Sequence, residues 1–150
     1  MQSILAIAYR FMCLYWRLLR PVTLGVTAVV TNDKGEVLLV RHTYRKGWFL
    51  PGGGVKRGES IEQALRRELF EEVGIKLLDD KPELFFGPYY RKFNGKHDHV
   101  FCYKVKNWEG APSGVPNLEV AEAKFFAPTE IPSLTGELTQ TKIAAFMERV

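Results

Sequence analysis

Gly53-Gly54-Val55-Lys56-Arg57-Gly58-Glu59-Ser60-Ile61-Glu62-Gln63-Ala64-Leu65-Arg66-Arg67-Glu68-Leu69-Phe70-Glu71-Glu72-Val73-Gly74-Ile75 runs from a glycine-rich loop into an amphipathic helix. Ser60 stands where a hydroxyl can cap a first helical turn, and Gln63 follows in capping-box register. Ile61, Ala64, Leu65, Leu69 and Val73 recur at helical spacing and form an apolar face, and Gly74 supplies the stop. Glu68, Glu71 and Glu72 stand at i, i+3 and i+4, so all three project from one side within an arc of about 100°. Like charges at this spacing repel, and they sit at the end of the helix whose dipole disfavours negative charge. A hard divalent cation, Mg²⁺ or Mn²⁺, compensates such an all-oxygen cluster. Gly52, Gly53, Gly54 and Gly58 lie just before the helix, where small residues let backbone approach a ligand closely.

The same stretch resembles the Nudix box: Gly, five residues, Glu, seven residues, Arg-Glu, an aliphatic, any residue, Glu-Glu, any residue, Gly, an aliphatic. Gly53, Glu59, Arg67, Glu68, Leu69, Glu71, Glu72, Gly74 and Ile75 fill the nine specified positions across 23 residues. Trp48-Phe49-Leu50-Pro51-Gly52-Gly53 also resembles the family's lead-in strand, and the likeness extends over residues 22–132. It implies a Nudix-type α/β/α sandwich with a mixed β-sheet, in which water attacks one phosphorus of a diphosphate bonded to another moiety. Glu68, Glu71 and Glu72 would then be metal ligands, with Glu68 also a candidate base, and Gly53 or its neighbour Gly52 would add a backbone carbonyl. Arg67 and Glu59 would form an ion pair that holds the loop on the helix. Family members often carry a further glutamate on a loop beyond the sheet. Glu119 and Glu122 are the candidates, and Glu119 is preferred by its distance from the strand near Lys124.

Outward from the box, Val22, Leu24, Val26, Ala28 and Val30 alternate with Thr23, Gly25, Thr27, Val29 and Thr31, the period of a strand. Asn32-Asp33-Lys34-Gly35 is turn chemistry, and Val37–Val40 is an apolar run, so the two strands read as a hairpin. Trp48-Phe49-Leu50 reads as a short strand stopped by Pro51, and the glycines after it as loop. Leu84–Tyr90, Val100–Lys106 and Lys124–Ala127 read as strands, 107–117 as a Gly/Pro loop, 128–132 as a turn and 137–150 as a closing helix.

Residues 1–20 lie outside the resemblance and read as an extra N-terminal amphipathic helix, ended by Pro21 and carrying Arg10, Arg17 and Arg20 on one side. No basic residue precedes the apolar run, unlike a signal peptide, and the arginines interrupt what a membrane span needs. Residues 1–20 are therefore expected to be an appendage to a domain of residues 21–150. They leave a peripheral membrane contact and a homodimer open.

The composition is that of an ordinary globular chain: 150 residues, 46% hydrophobic and 25% charged, too short for two ordinary domains. The net charge of +4 hides an asymmetry. Residues 1–58 hold 9 basic and 2 acidic side chains, and residues 59–150 hold 12 and 15. That pattern favours a phosphorylated small molecule over a nucleic acid polymer. Cys13 and Cys102 are far apart and fit reduced thiols in a cytoplasmic protein. Arg41 and Arg45 are expected to grip phosphates, with Lys46, Lys56 and Arg57 as further candidates, and Tyr89 and Tyr90 to stack on a base. His97-Asp98-His99 admits a metal reading or a place at the substrate pocket.

The leading expectation is Mg²⁺- or Mn²⁺-dependent hydrolysis of a nucleoside diphosphate linked to another group, of sugar-nucleotide or ADP-ribose type. The alternatives are a nucleoside triphosphate pyrophosphohydrolase that removes oxidised nucleotides and a catalytically silent nucleotide-binding Nudix domain.

Overall fold

A computed structural model describes residues 2–19, 21–93, 95–112 and 119–148. Arg20 of the arginine stripe, Asn94 of a turn, residues 113–118 of the Gly/Pro loop and residues 149–150 of the last helix lie outside the described residues. In chain order the elements are α1 (Gln2–Leu19), β1 (Val22–Val30), β2 (Val37–His42), β3 (Gly52–Gly54), α2 (Ile61–Val73), β4 (Lys76–Leu77), β5 (Glu83–Phe93), β6 (Lys96–Val105), β7 (Trp108–Glu109), β8 (Val120–Phe126), a 3-10 turn at Pro128–Glu130 and α3 (Glu137–Met147).

The main sheet has the order β3-β1-β6-β5 and is mixed: β1 and β6 run parallel, and the other pairs are antiparallel. β2 pairs with β8 and β4 with β7, both antiparallel. Alternation sorts the core into two layers. Val26, Ala28 and Val30 of β1 and Leu38 and Val40 of β2 pack with Ala64, Leu65, Leu69 and Val73 of α2. Val29 of β1 and Val37 and Leu39 of β2 pack with Ile143 and Phe146 of α3. Helices thus cover both faces of the strands, and the fold is the expected α/β/α sandwich with an additional N-terminal helix. The boundaries of α2 follow the sequence signals. Ser60 accepts from the Gln63 backbone N–H while Gln63 accepts from that of Ser60, and Gly74 closes the helix at φ 69°.

Two strand expectations are corrected. The turn after β1 forms, with Asn32 Oδ1 accepting the Lys34 and Glu36 backbone N–H groups at 3.0 Å, but no hairpin follows. After one bridge between Thr31 and Val37 the strands part, β1 to β3 and β6, β2 to β8. Val37–Val40 is apolar at every position, so both its faces need cover, and splitting the strands between two sheets supplies it. Trp48 and Phe49 make only isolated bridges, and the strand lies one step later, in the glycines. There a Cβ on Gly52 (φ 143°) would stand 2.1 Å from the Val26 carbonyl oxygen, so glycine alone lets the chain run this close to β1. The hairpin of β5 and β6 also reaches further than its apolar residues suggest, because His97–His99 pair with β5 on one side and β1 on the other.

Candidate active site

Between α1, β1, β3, β6 and α3 lies a cavity of about 720 Å³, within the usual range for small-molecule sites. Gly52–Gly54 form one wall, and behind them stand the carboxylates of α2. The Glu68 carboxylate lies directly against Gly53, where a Cβ would come within 2.5 Å of it. Glu72 is buried and accepts the Gly52 N–H at 2.8 Å. Glycines at 52 and 53 thus bring backbone against two of the three glutamates.

Arg67 organises the rest. Its Nε donates to Glu59 Oε1 at 2.7 Å and its Nη2 to Glu59 Oε2 at 2.9 Å, a two-pronged ion pair; Nη2 also donates to the Gly54 carbonyl at 2.9 Å. The other arm, Nη1, reaches Glu68 at 2.6 Å and Glu71 at 3.2 Å. Arg67, with the Lys56 backbone N–H, holds Glu59 down at about 2. The cluster is otherwise raised. Burial pushes the Glu68 carboxyl above its ordinary range, and burial with the Glu68 and Glu119 charges pushes Glu72 up to about 8. Beside it, His42 is buried with its Nε2 3.9 Å from Glu72 Oε1 and its ring against Tyr44 and Phe49. Burial takes this imidazole down to about 4, so it is neutral near pH 7.

Among the described residues no three acidic, His or Cys side chains converge on one point, because Arg67 holds Glu68 and Glu71. The chemistry of the donor set nonetheless fits a hard divalent cation. It offers hard carboxylate oxygens, two of them on side chains raised by burial and by neighbouring negative charge, next to a buried neutral imidazole.

The other expected residues divide. Glu119 lines the cavity, whereas Glu122 is on β8 in an exposed ion pair with Arg41 at 2.9 Å. Arg41 therefore lies outside the cavity, contrary to its expected phosphate role: it faces Glu122 across the β2–β8 register, and neutralising that partner is its evident work. Arg45 does line the cavity, its guanidinium 3.7 Å above the centre of the Phe49 ring. Tyr90 is exposed and bonds His97 Nδ1 at 3.0 Å, away from the cavity, while Tyr89 is partly buried with its hydroxyl against Lys142. Alternation along β5 separates these neighbours. His97 and His99 both flank the Tyr90 ring; Asp98, on the opposite face, enters the cavity held by Thr23 at 2.8 Å and Arg91 at 2.8 Å. The metal reading of His97 and His99 has no third ligand among the described residues.

Sequence reasoning missed Lys142, Tyr44, Lys96 and the inner side of α1, all of which line the cavity. Lys142 is only 3% exposed and donates to the Tyr89 and Thr27 hydroxyls, the latter at 3.5 Å. A signal existed: Thr139, Lys142, Ile143 and Phe146 are the buried positions of α3, and a lysine at a core register asks for a reason. Tyr9 of α1 packs on Tyr44 with ring centroids 5.1 Å apart, and Lys96 Nζ lies 3.2 Å above the centre of the Trp16 ring.

With that geometry in view, similarity to known proteins is decisive: the NUDIX domain profile matches residues 21–147. The chain belongs to the Nudix hydrolase family. It is 48% identical to the RNA pyrophosphohydrolase of Proteus mirabilis over 57 residues, 38% of this chain and 32% of that protein. The chain spans about a third of the length of this and similar curated relatives. Among solved structures it resembles a NUDIX hydrolase from Nitrosomonas europaea (TM-score 0.72, 26% identity, 85% of this chain and 90% of that one). It also resembles a MutT NUDIX hydrolase from Burkholderia pseudomallei (TM-score 0.71, 27% identity, 82% and 96%). As a Nudix domain, the α2 glutamates and the Arg67–Glu59 clamp occupy the box positions.

Proposed function

We propose that this Nudix domain hydrolyses the diphosphate linkage of a small nucleoside diphosphate joined to another group, of sugar-nucleotide or ADP-ribose type. The observation that carries the reading is the packing of Glu68 and Glu72 against Gly53 and Gly52, the glycines that line a cavity sized for a small molecule. Glu68, Glu71 and Glu72, with the Gly53 carbonyl, would hold Mg²⁺ or Mn²⁺. Such a cation neutralises diphosphate charge and acidifies an attacking water. Glu119 is the candidate for removing a proton from that water; Arg67 and Glu59 position the loop. Arg45 supplies positive charge to the cavity, and Lys142 with Tyr89 and Thr27 offers donors to acceptor groups on the remainder of the substrate.

The relatives named RNA pyrophosphohydrolase favour a second substrate class, a pyrophosphate linkage carried by RNA. Against it stands α1, which lies across the cavity with Leu5, Tyr9, Met12 and Trp16 in its lining and narrows it to small-molecule dimensions. The deciding experiment incubates the full chain and Mg²⁺ or Mn²⁺ with ADP-ribose, UDP-glucose, 8-oxo-dGTP and 5′-triphosphorylated RNA, and separates the products chromatographically. Turnover of ADP-ribose or UDP-glucose supports the proposal. Turnover confined to the triphosphate or to RNA replaces it with that activity, and binding without turnover of any of the four makes the domain a silent nucleotide binder.

A further inference from the structure

We propose that α1 docks the protein on an anionic lipid bilayer, lying in the plane of the headgroups. This stands apart from the catalytic reading, because it rests on the side of α1 that faces away from the cavity. Ile4, Ile7, Phe11, Leu14, Tyr15 and Leu18 are 53–76% exposed. At 3.6 residues per turn they fall within an arc of about 100°, a continuous apolar stripe on the outside of the fold. Scattered apolar residues are ordinary on a protein surface; six aligned on one helix are a surface that lacks its cover.

The side chains beside the stripe say what the cover is. Arg10 and Arg17, both exposed, border it on one flank, and the cavity-facing residues border it on the other. The first acidic residue of the chain is Asp33, so residues 1–32 carry only positive charge. A second copy of α1 would bring further arginines to this edge. An anionic headgroup layer instead supplies the missing negative charge while its acyl boundary takes the stripe, and arginine stems reach the headgroups from the flank. Tyr15 adds the amphipathic aromatic that favours this boundary. No described helix is long and apolar enough to cross a membrane, which leaves the in-plane arrangement for α1.

The test sediments the full-length protein with sucrose-loaded vesicles of phosphatidylcholine, alone or mixed with phosphatidylglycerol. Adding phosphatidylglycerol is expected to raise the bound fraction about tenfold at low salt, with loss of the gain as sodium chloride screens it. The double substitution Phe11→Glu/Leu18→Glu is expected to abolish sedimentation, and Arg10→Gln/Arg17→Gln to remove the preference for phosphatidylglycerol. Thermal melting of each variant checks the fold; if the glutamate pair melts early, the arginine variant, altered only at solvated side chains, decides. Equal sedimentation with and without phosphatidylglycerol overturns the proposal, as does wild-type binding by the folded glutamate variant. So does a concentration-dependent dimer that the same substitutions dissolve while vesicles are ignored, which would give the face to a second copy.

Discussion

The α2 side and the α3 side of the site handle charge in opposite ways. At the α2 end, each box acid has a polar partner: Arg67 serves Glu59, Glu68 and Glu71, and the Gly52 N–H serves Glu72. At the α3 end, Lys142 is buried with two hydroxyls for company and, among the described residues, no carboxylate in an ion pair with it; Asp98 of the same cavity is taken by Arg91 and Thr23. Grouped acids repel one another, and a divalent cation relieves that cost. A lone buried ammonium loses hydration without a compensating charge, and an oxygen-rich ligand relieves it. Both ends are thus less stable than packing alone would make them, a common condition of binding sites, but they await opposite partners.

The largest expected effect tests the acidic end. Glu72→Gln keeps the shape and an acceptor for the Gly52 N–H while removing the group that can ionise to hold a cation. With Mg²⁺ and whichever compound of the panel is turned over, kcat is expected to fall by about 10³-fold or more, with the melting temperature unchanged or raised. Full activity in this variant would break the metal-site assignment and with it the contrast between the ends. Arg67→Gln comes next, with an expected loss of about 10²-fold in kcat and a lowered melting temperature, because three carboxylates lose their shared guanidinium and the glycine strand loses its tether. A drop in melting temperature with kcat intact would reduce Arg67 to a purely structural part.

The same contrast explains what the amino-acid sequence disclosed. The acidic end is local: Gly53 through Ile75 contains the loop, the cap, the clamp and the three glutamates, so spacing disclosed the loop, the cap and the grouped glutamates, and the resemblance to the Nudix box implied the clamp. The lysine end is made of Thr27, Tyr89, Cys102 and Lys142, one residue from each of β1, β5, β6 and α3, and only the sheet order brings them together. The parallel β1–β6 pairing, which supplies that order, leaves no short-range signature. For the same reason the apparent β1–β2 hairpin misled: its turn is local and real, whereas the partners of each strand are distant. The N-terminal helix was legible from its periodicity, but its use as a cavity wall depends on Tyr44 and Lys96, far along the chain.

Lys142→Met probes the basic end and is expected to act on binding more than on chemistry. KM should rise about tenfold with kcat changed little, and the variant should melt at or above the wild-type temperature, since the substitution removes a buried charge and retains the volume. The pH dependence gives an independent reading. Burial lowers Lys142 to about 8 in the folded chain, opposed by Cys102 and assisted by Arg91, with Tyr89 neutral beside it. The unfolded chain therefore binds the extra proton between about 8 and the ordinary lysine value of 10.5. Wild-type stability should rise with pH across that window, by on the order of 3 kcal/mol at most, relative to Lys142→Met. Denaturant melts of both proteins across that window check this; parallel curves would mean that Lys142 is charged at no cost and that the two ends do not differ as described.

Arg41→Ala should do least. Arg41 was expected to grip phosphate from its position in the sequence, yet its guanidinium is about half exposed and holds Glu122 on the β2–β8 edge. An exposed pair of this kind contributes about 0–1 kcal/mol, and its loss should leave kcat/KM within about twofold of wild type. Arg45, four residues on, provides the contrast, being packed on Phe49 within the cavity wall. A tenfold loss in Arg41→Ala would extend the substrate across the β2–β8 edge. The cavity would then have a third polar station, outside both the acidic and the basic end, and Glu122 in place of Glu119 would become the acid to substitute next.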